Sequence, residues 1–300
     1  MRTPITYYGG KQQLAAKIIS MMPAHKIYCE PFFGGGAVFF QKPKSYLEVI
    51  NDKNDKLITF YRQVATNFEQ LAEKIDNSLC SESDYYLAKD YYNGRVPAGD
   101  TDIAWAVFII TNGSFSGSMH GGWKWCNGSA GSHTGVFMRN KRREFNSALR
   151  NRLQDVQISC RDALDVIKQR DTSDTFFYLD PPYPGCTQGH YRGYTHEELF
   201  QLLALLQEIK GKFILSNFWC QTLRYFVTVN KWHVEKIDMP LKVANLTEAK
   251  HKTEILISNY ELSPMLFGQK QIKKEMNNVL FKKIKRANSK LYMPIVEPIS

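Results

Sequence analysis

The sequence predicts an α/β fold: an open sheet with helices, interrupted by an inserted, mainly helical segment. Three observations predict it. Short apolar runs that read as buried strands recur along the chain. A glycine-rich turn joins an early strand to a helix in the order of a βαβ unit. Residues 55–154 then break that pattern, being rich in Tyr, Asn and charge.

Tyr28-Cys29-Glu30 reads as the end of a strand, Pro31 to Gly36 as a glycine-rich turn, and Ala37-Val38-Phe39-Phe40 as the start of a helix. Tyr46 to Asn51 is a second strand that ends at Asp52. Glycines let the backbone approach a ligand closely, and an acid at the end of the second strand suits the two hydroxyls of a ribose. No Lys-Ser/Thr follows the glycines, which argues against a phosphate cradle, and Glu30 beside the turn suits a cationic ligand.

Within 55–154, helical patterns fall around 55–76 and 102–111. A Gly-, Ser- and Trp-rich stretch follows from Asn112 to Gly135. The segment reads as an inserted, smaller domain with a long irregular loop. The α/β pattern resumes at Val156 to Cys160. Thr175 to Leu179 is a short apolar strand. Thr195 and Glu198 fit a capping box, and Leu199, Leu202, Leu203 and Leu206 form the apolar face of the helix behind it. Lys212 to Asn217 is another strand, with Lys231 to Met239 and Glu254 to Tyr260 as the last two. Pro264 marks the end of the compact region.

The 300 residues are 43% hydrophobic, enough for a core in one large or two ordinary domains. No run approaches the roughly 20 apolar residues of a membrane span, and Met1 to Pro4 lack a leader's apolar run. The six cysteines (Cys29, Cys80, Cys126, Cys160, Cys186, Cys220) contain no Cys-x-x-Cys pair. That argues against structural zinc and a disulfide framework, and for reduced thiols in a cytosol. The net charge of +10 is concentrated. Arg139, Lys141, Arg142, Arg143, Arg150 and Arg152 oppose only Glu144, and eight basic residues oppose two acids in 268–300. Such blocks point to a polyanion, nucleic acid first.

Asp180-Pro181-Pro182-Tyr183 follows the Thr175–Leu179 strand directly, where open α/β sheets place ligands. The four residues suit a planar exocyclic amine. Asp180 and a main-chain carbonyl in the proline pair can accept its two N–H bonds, Tyr183 can stack on the attached ring, and the prolines stiffen the backbone.

Four motifs in order are Tyr7-Tyr8-Gly9-Gly10-Lys11, Glu30 to Gly36, Asn51-Asp52-Lys53-Asn54 and Asp180 to Tyr183. With them the chain resembles the Dam-like (alpha-group) S-adenosylmethionine-dependent DNA adenine-N6 methyltransferases over most of residues 4–262. The resemblance implies a Rossmann-like mixed sheet, mainly parallel with the last strand antiparallel. A catalytic domain would comprise 1–54 and 155–262, a target-recognition domain 55–154, and a basic tail 263–300. It implies S-adenosyl-L-methionine as cofactor, with Tyr7, Lys11, Phe32, Gly34, Gly36, Asp52, Asp162 and Asp180 around it. Asp180, Pro181, Pro182 and Tyr183 would hold a flipped-out adenine. Double-stranded DNA would be the partner, with no metal, no membrane, a cytoplasmic bacterial or phage setting and a monomer or weak dimer. A cognate restriction endonuclease, a mismatch-repair role and phage self-protection stay open.

For DNA, Arg139, Lys141, Arg142 and Arg143 suit phosphates. Base-edge contacts would come from the Asn112 to Lys124 stretch, with Asn112, Ser114, Trp123 and Lys124 as candidates. Trp123 and Trp125 read equally as stacking platforms or as a small core of the insertion. Tyr191 and Arg192 suit the flipped nucleotide or its phosphate. Asn112 to Gly117 preserves little of the Asn/Arg-rich stretch of GATC readers, so the resemblance leaves the recognition sequence, GATC included, open. Asp180 favours adenine over cytosine N4 or RNA, where Ser or Asn is usual at that place. A non-catalytic DNA-binding relative is the remaining alternative.

Overall fold

The computed structural model describes residues 1–126, 133–184, 194–240 and 251–262. Residues 1–262 form one compact unit. The tail 263–300 lies outside the described residues, as do Cys186, Tyr191 and Arg192.

After helix α1 (Ala15–Met21) come strand β1 (Ile27–Glu30), helix α2 (Ala37–Gln41) and strand β2 (Leu47–Asn51). Six helices follow: α3 (Asp55–Thr66), α4 (Phe68–Asp76), α5 (Glu82–Asn93), α6 (Asp100–Gly113), α7 (Thr134–Glu144) and α8 (Ser147–Leu153). The α/β alternation then returns with β3 (Gln157–Ser159), α9 (Ala163–Arg170), β4 (Thr175–Leu179), α10 (His196–Leu206), β5 (Lys212–Asn217) and α11 (Gln221–Asn230). β6 (His233–Pro240) and β7 (His251–Ser258) close the sheet.

The seven strands lie in the order β3-β2-β1-β4-β5-β7-β6. β1 to β5 are mutually parallel, and β7 runs antiparallel to both β5 and β6. Chain order reverses between β1 and β4, where an open sheet forms a crevice at its carboxyl edge. Glu30 and Asp180 end or follow these two strands, so the sequence delivers both to that crevice.

Alternation along each strand divides the core. Tyr28, Ile50, Phe176, Tyr178, Ile214 and Leu256 face α1 to α8, while Cys29, Val49, Phe177, Leu179, Leu215 and Ile257 face α9 to α11. All five residues of β4 are buried, as a central strand covered on both faces requires. The capping box at Thr195 is present, and Leu199, Leu202, Leu203 and Leu206 are its helix's buried stripe.

The described residues of the insertion between β2 and β3 are mainly helical and share the core on one face of the sheet. Phe60 and Tyr61 of α3, Phe108 of α6 and Phe145 after α7 belong to the same apolar cluster as Tyr28 and Phe176 of the sheet. A buried ionic knot fastens its far end. Arg152 of α8 pairs with Glu48 of β2 through its two terminal guanidinium nitrogens, donates to the Phe39 carbonyl at 2.9 Å and lies 3.6 Å over the Phe39 ring. Lys42 pairs with the same Glu48.

That knot corrects the reading of 139–152 as a phosphate-binding block. Arg152 is consumed by Glu48. Lys141 is buried and donates to the Thr3 carbonyl at 3.0 Å, and Arg150 pairs with Glu69 at 2.5 Å. Arg142 is half-buried, its Nε and Nη2 without a partner among the described residues. Only Arg139 and Arg143 of the block point freely to solvent.

Candidate active site

The glycine turn is built by steric necessity. Gly34 and Gly36 take φ of +48° and +65°, in the left-handed region that favours glycine. A Cβ on Gly36 would lie 2.5 Å from Cζ of Phe33. The turn is tied from three sides: Phe33 N–H donates to the Asn51 carbonyl at 2.9 Å, Gly34 N–H to Asp52 Oδ2 at 2.9 Å, and Tyr61 hydroxyl to the Gly34 carbonyl at 2.8 Å. Asp52 Oδ1 also accepts from Asn54 N–H at 2.9 Å. Burial pushes the Asp52 carboxyl up, and these backbone N–H bonds oppose the rise. Asn51, part of the third sequence motif but given no role there, joins the ends of three strands. Its amide donates to the Pro31 and Arg161 carbonyls and accepts from Arg161 N–H at 2.9 Å.

One cavity of about 910 Å³ runs along the carboxyl edge of the sheet. At one end it is lined by Asp52, Arg161 and Asp162. Tyr7, Phe32 and the glycines form its middle. Lys11, Asp180, Pro181, Pro182 and Tyr183 line the other end. That volume lies near the top of the roughly 300–1,000 Å³ range of small-molecule sites. Asp162 caps α9, accepting from Leu164 N–H at 2.9 Å. All eight residues expected around a cofactor therefore line one cavity, although Lys11 reaches furthest toward Asp180.

At that end Lys11 Nζ lies 2.9 Å from both Asp180 oxygens, 3.1 Å from Glu254 Oε1 and 3.0 Å from the Gly9 carbonyl. Tyr183 hydroxyl donates to Glu254 Oε1 at 2.7 Å and lies 3.2 Å from Asp180 Oδ1. Burial alone would lower the Lys11 value, but the charges of Asp180 and Glu254 hold it above the usual lysine range. Burial pushes Asp180 upward, Lys11 restrains it, and the Glu254 charge adds to the rise. Glu30, buried beneath the cavity and accepting from Tyr28 hydroxyl at 2.7 Å, is pushed up to about 8, chiefly by burial. Glu254 and Phe218, whose ring meets Tyr183 edge-on at 4.5 Å, are the members missed from sequence. The sequence carried only part of the signal for Glu254: an acid beside the apolar run Ile255 to Ile257, within β7.

The candidates for base reading divide. Asn112 is buried; its carbonyl oxygen accepts from Thr6 N–H and hydroxyl, both at 3.0 Å, and its amide donates to the Phe108 carbonyl. It ties the insertion to the N-terminal segment and is not presented to a base. Ser114 is likewise buried. Trp123 is half-buried against Tyr85, ring centroids 5.5 Å apart, and packs against the core shared with the sheet. Lys124 is half-buried, its Nζ 5.2 Å over the Phe137 ring. Trp125 is 65% exposed and Phe115 is 51% exposed. The loop carrying them is pinned by α5: Tyr85 hydroxyl donates to the Gly121 carbonyl at 2.6 Å and Lys89 Nζ to the Met119 carbonyl at 2.9 Å.

A sheet of this order, with a glycine turn, a strand-end acid and an Asp-Pro-Pro-Tyr run converging on one cavity, defines a methyltransferase. Residues 7–255 match the model of the D12 class N6 adenine-specific DNA methyltransferases, and the chain belongs to that family. It is 28% identical over 269 residues to the type II methyltransferase M1.LlaDCHI of Lactococcus lactis subsp. cremoris, covering 84% of this chain and 93% of that protein. It is 26% identical over 304 residues to the type II methyltransferase M.MjaIII of Methanocaldococcus jannaschii, covering 85% and 98%. The DNA N-6-adenine-methyltransferase of Escherichia phage P1 is 26% identical over 250 residues, covering 79% of this chain and 32% of that protein. The chain is thus an enzyme of adenine methylation in DNA.

Proposed function

We propose that this enzyme moves the methyl group of S-adenosylmethionine to N6 of an adenine turned out of a DNA duplex, and that the two ends of its cavity divide the work. The single observation that carries this reading is the continuity of the cavity from Asp52 and Asp162 to Asp180 and Tyr183. The donor would lie along the glycine turn. Asp52, whose oxygens retain acceptor capacity beside their backbone bonds, suits the ribose, and Asp162 suits the adenine end. The buried glycine cradle, which a Cβ would fill, and the surplus of carboxylate near Asp180 fit a cationic sulfonium donor.

The chain's own groups need only position and polarise. An adenine amine is a weak nucleophile because its lone pair is delocalised. Hydrogen bonds from the amine to Asp180 and to a proline-pair carbonyl draw the nitrogen toward tetrahedral geometry and aim the lone pair. The proton is shed after transfer, so Asp180 orients and polarises rather than acting as an early base. Tyr183 packs on the base once it has left the stack.

The exposed loop with Phe115 and Trp125, together with Arg139 and Arg143, is the DNA-facing surface in this reading, the arginines supplying affinity to phosphates. The test is incubation with methyl-labelled cofactor and mixed DNA, followed by long-read mapping of methylated bases. Label on cytosine, or only in RNA, overturns the reading.

A further inference from the structure

Glu254 is delivered to the site by topology. β7 runs against β5, so its first residues lie at the edge where the parallel strands end. Asn217, the last residue of β5, pairs with Ile255, which sets Glu254 one step beyond it, level with the turn that carries Asp180. Alternation sends Ile255 and Ile257 into one core and turns Glu254 and Leu256 to the other face, the side of Tyr178. Ile255, Leu256 and Ile257 are all buried, and an apolar residue at 254 would extend that run. A carboxylate buried to 5% exposure is instead costly unless it is paired.

Its partners are Tyr183 of the base seat and Lys11, which also holds Asp180. Tyr183 hydroxyl carries one proton and has two carboxylates in reach, Glu254 at 2.7 Å and Asp180 at 3.2 Å. The shorter bond goes to Glu254. Lys11 divides its ammonium between the same two carboxylates. With hydroxyl and ring edge both held, by Glu254 and by Phe218, the plane of Tyr183 is set at two points.

We propose that Glu254 is a positioning residue for methyl transfer: it takes the shorter Tyr183 hydroxyl bond and a share of the Lys11 ammonium, so that Asp180, which Lys11 touches through both oxygens, keeps lone pairs for the target amine. This rests on Asp180 to Tyr183 being the base seat. Without the Glu254 charge, the tyrosine proton and the whole ammonium turn to Asp180 and compete with the amine.

The test uses the full chain, S-adenosylmethionine and a duplex bearing the site mapped for the wild-type enzyme. Glu254→Gln lowers the single-turnover methylation rate by about 10–100-fold, the scale of one charge-assisted hydrogen bond. KM for the cofactor stays within roughly threefold, since the lost contact serves the base. With 2-aminopurine at the target position, the fluorescence rise on binding falls in parallel. In a Tyr183→Phe background the same substitution costs clearly less, because the hydroxyl it served is gone and only the Lys11 share of its effect remains. Glu254→Asp, which keeps the charge but draws it back by one methylene, also slows transfer and covers the case of a poorly folded glutamine variant. An unchanged rate in either variant, or an equal loss with and without the Tyr183 hydroxyl, overturns the proposal. Asp180→Ala run alongside separates the two levels. Turnover there sinks the seat itself, whereas a dead Asp180→Ala beside a fully active Glu254→Gln sinks only the role of Glu254.

Discussion

Replacing Gly36 with alanine tests whether the glycine turn is held by packing as well as by backbone conformation. At φ +65° an alanine costs about 1–2 kcal/mol for the left-handed conformation alone. Its Cβ would also sit 2.5 Å from Phe33 Cζ. Phe33 cannot swing aside cheaply: its ring is wedged against Tyr61 at 4.7 Å and Phe39 at 5.4 Å and is buried. Forcing an extra methyl into such a site costs about 1–3 kcal/mol more, so the sum is about 2–5 kcal/mol. Gly94 supplies the matched control. It closes α5 at φ +69°, and nothing lies within 4 Å of its Cβ position, so Gly94→Ala carries the backbone cost only. At about 2–4 °C per kcal/mol for a domain of this size, thermal melting should fall by about 4–20 °C in Gly36→Ala and about 2–8 °C in Gly94→Ala. S-adenosylmethionine binding, followed by equilibrium dialysis, should weaken in the first and not in the second. Equal melting of the two variants, or undiminished cofactor binding by Gly36→Ala, refutes the reasoning.

Asp180→Ala should abolish methyl transfer to DNA while cofactor binding by dialysis largely survives; near-normal turnover would sink its assignment. Arg152→Leu leaves Glu48 with Lys42 alone and should cost about 3–5 kcal/mol in urea unfolding, the scale for breaking a buried pair; a loss under about 1 kcal/mol would make the knot incidental. Glu30, pushed up to about 8 when folded, holds a proton that the unfolded chain releases near its ordinary value of about 4.3. The resulting stabilisation is complete below that value and is lost as pH rises through about 8. Glu30→Gln should therefore gain on the wild type in denaturation midpoints between about pH 6 and 9, and a constant difference across that window would count against it. Lys89→Met should weaken DNA binding by several-fold in filter or anisotropy assays with cofactor affinity unchanged, because it releases the loop at the Met119 carbonyl.

The sheet was legible because local pattern and tertiary outcome agree. Six of the seven expected strands lie within a residue or two of those observed, and the glycine turn and capping box carry their own geometry. The capping box at Thr195 is visible because its bonds are made within four residues. Asn112 and Lys141 were misread for the opposite reason. A polar or basic side chain in a Gly-rich stretch or charge run looks like a ligand contact until its partner appears, here Thr6 and Thr3, more than a hundred residues away in sequence. Arg152 is the same error on a helix. Glu254 escaped because its value depends on the direction of β7, which no local pattern states. Paired strand runs reveal that a strand exists but not which end of it meets Asp180.

The single core shared by the sheet and the helical insertion has a consequence for engineering and for divergence. A recognition unit with its own core could be exchanged between relatives at two loop junctions. Here a chimera that imported foreign helices would have to rebuild Phe60, Phe108 and Phe145 against Tyr28 and Phe176 and replace the Arg152 anchor as well. If the exposed residues around Phe115 and Trp125 read the target, as proposed, new sequences are reached more cheaply by rewriting those residues one at a time. Families built this way should keep their helices while their loop tips drift.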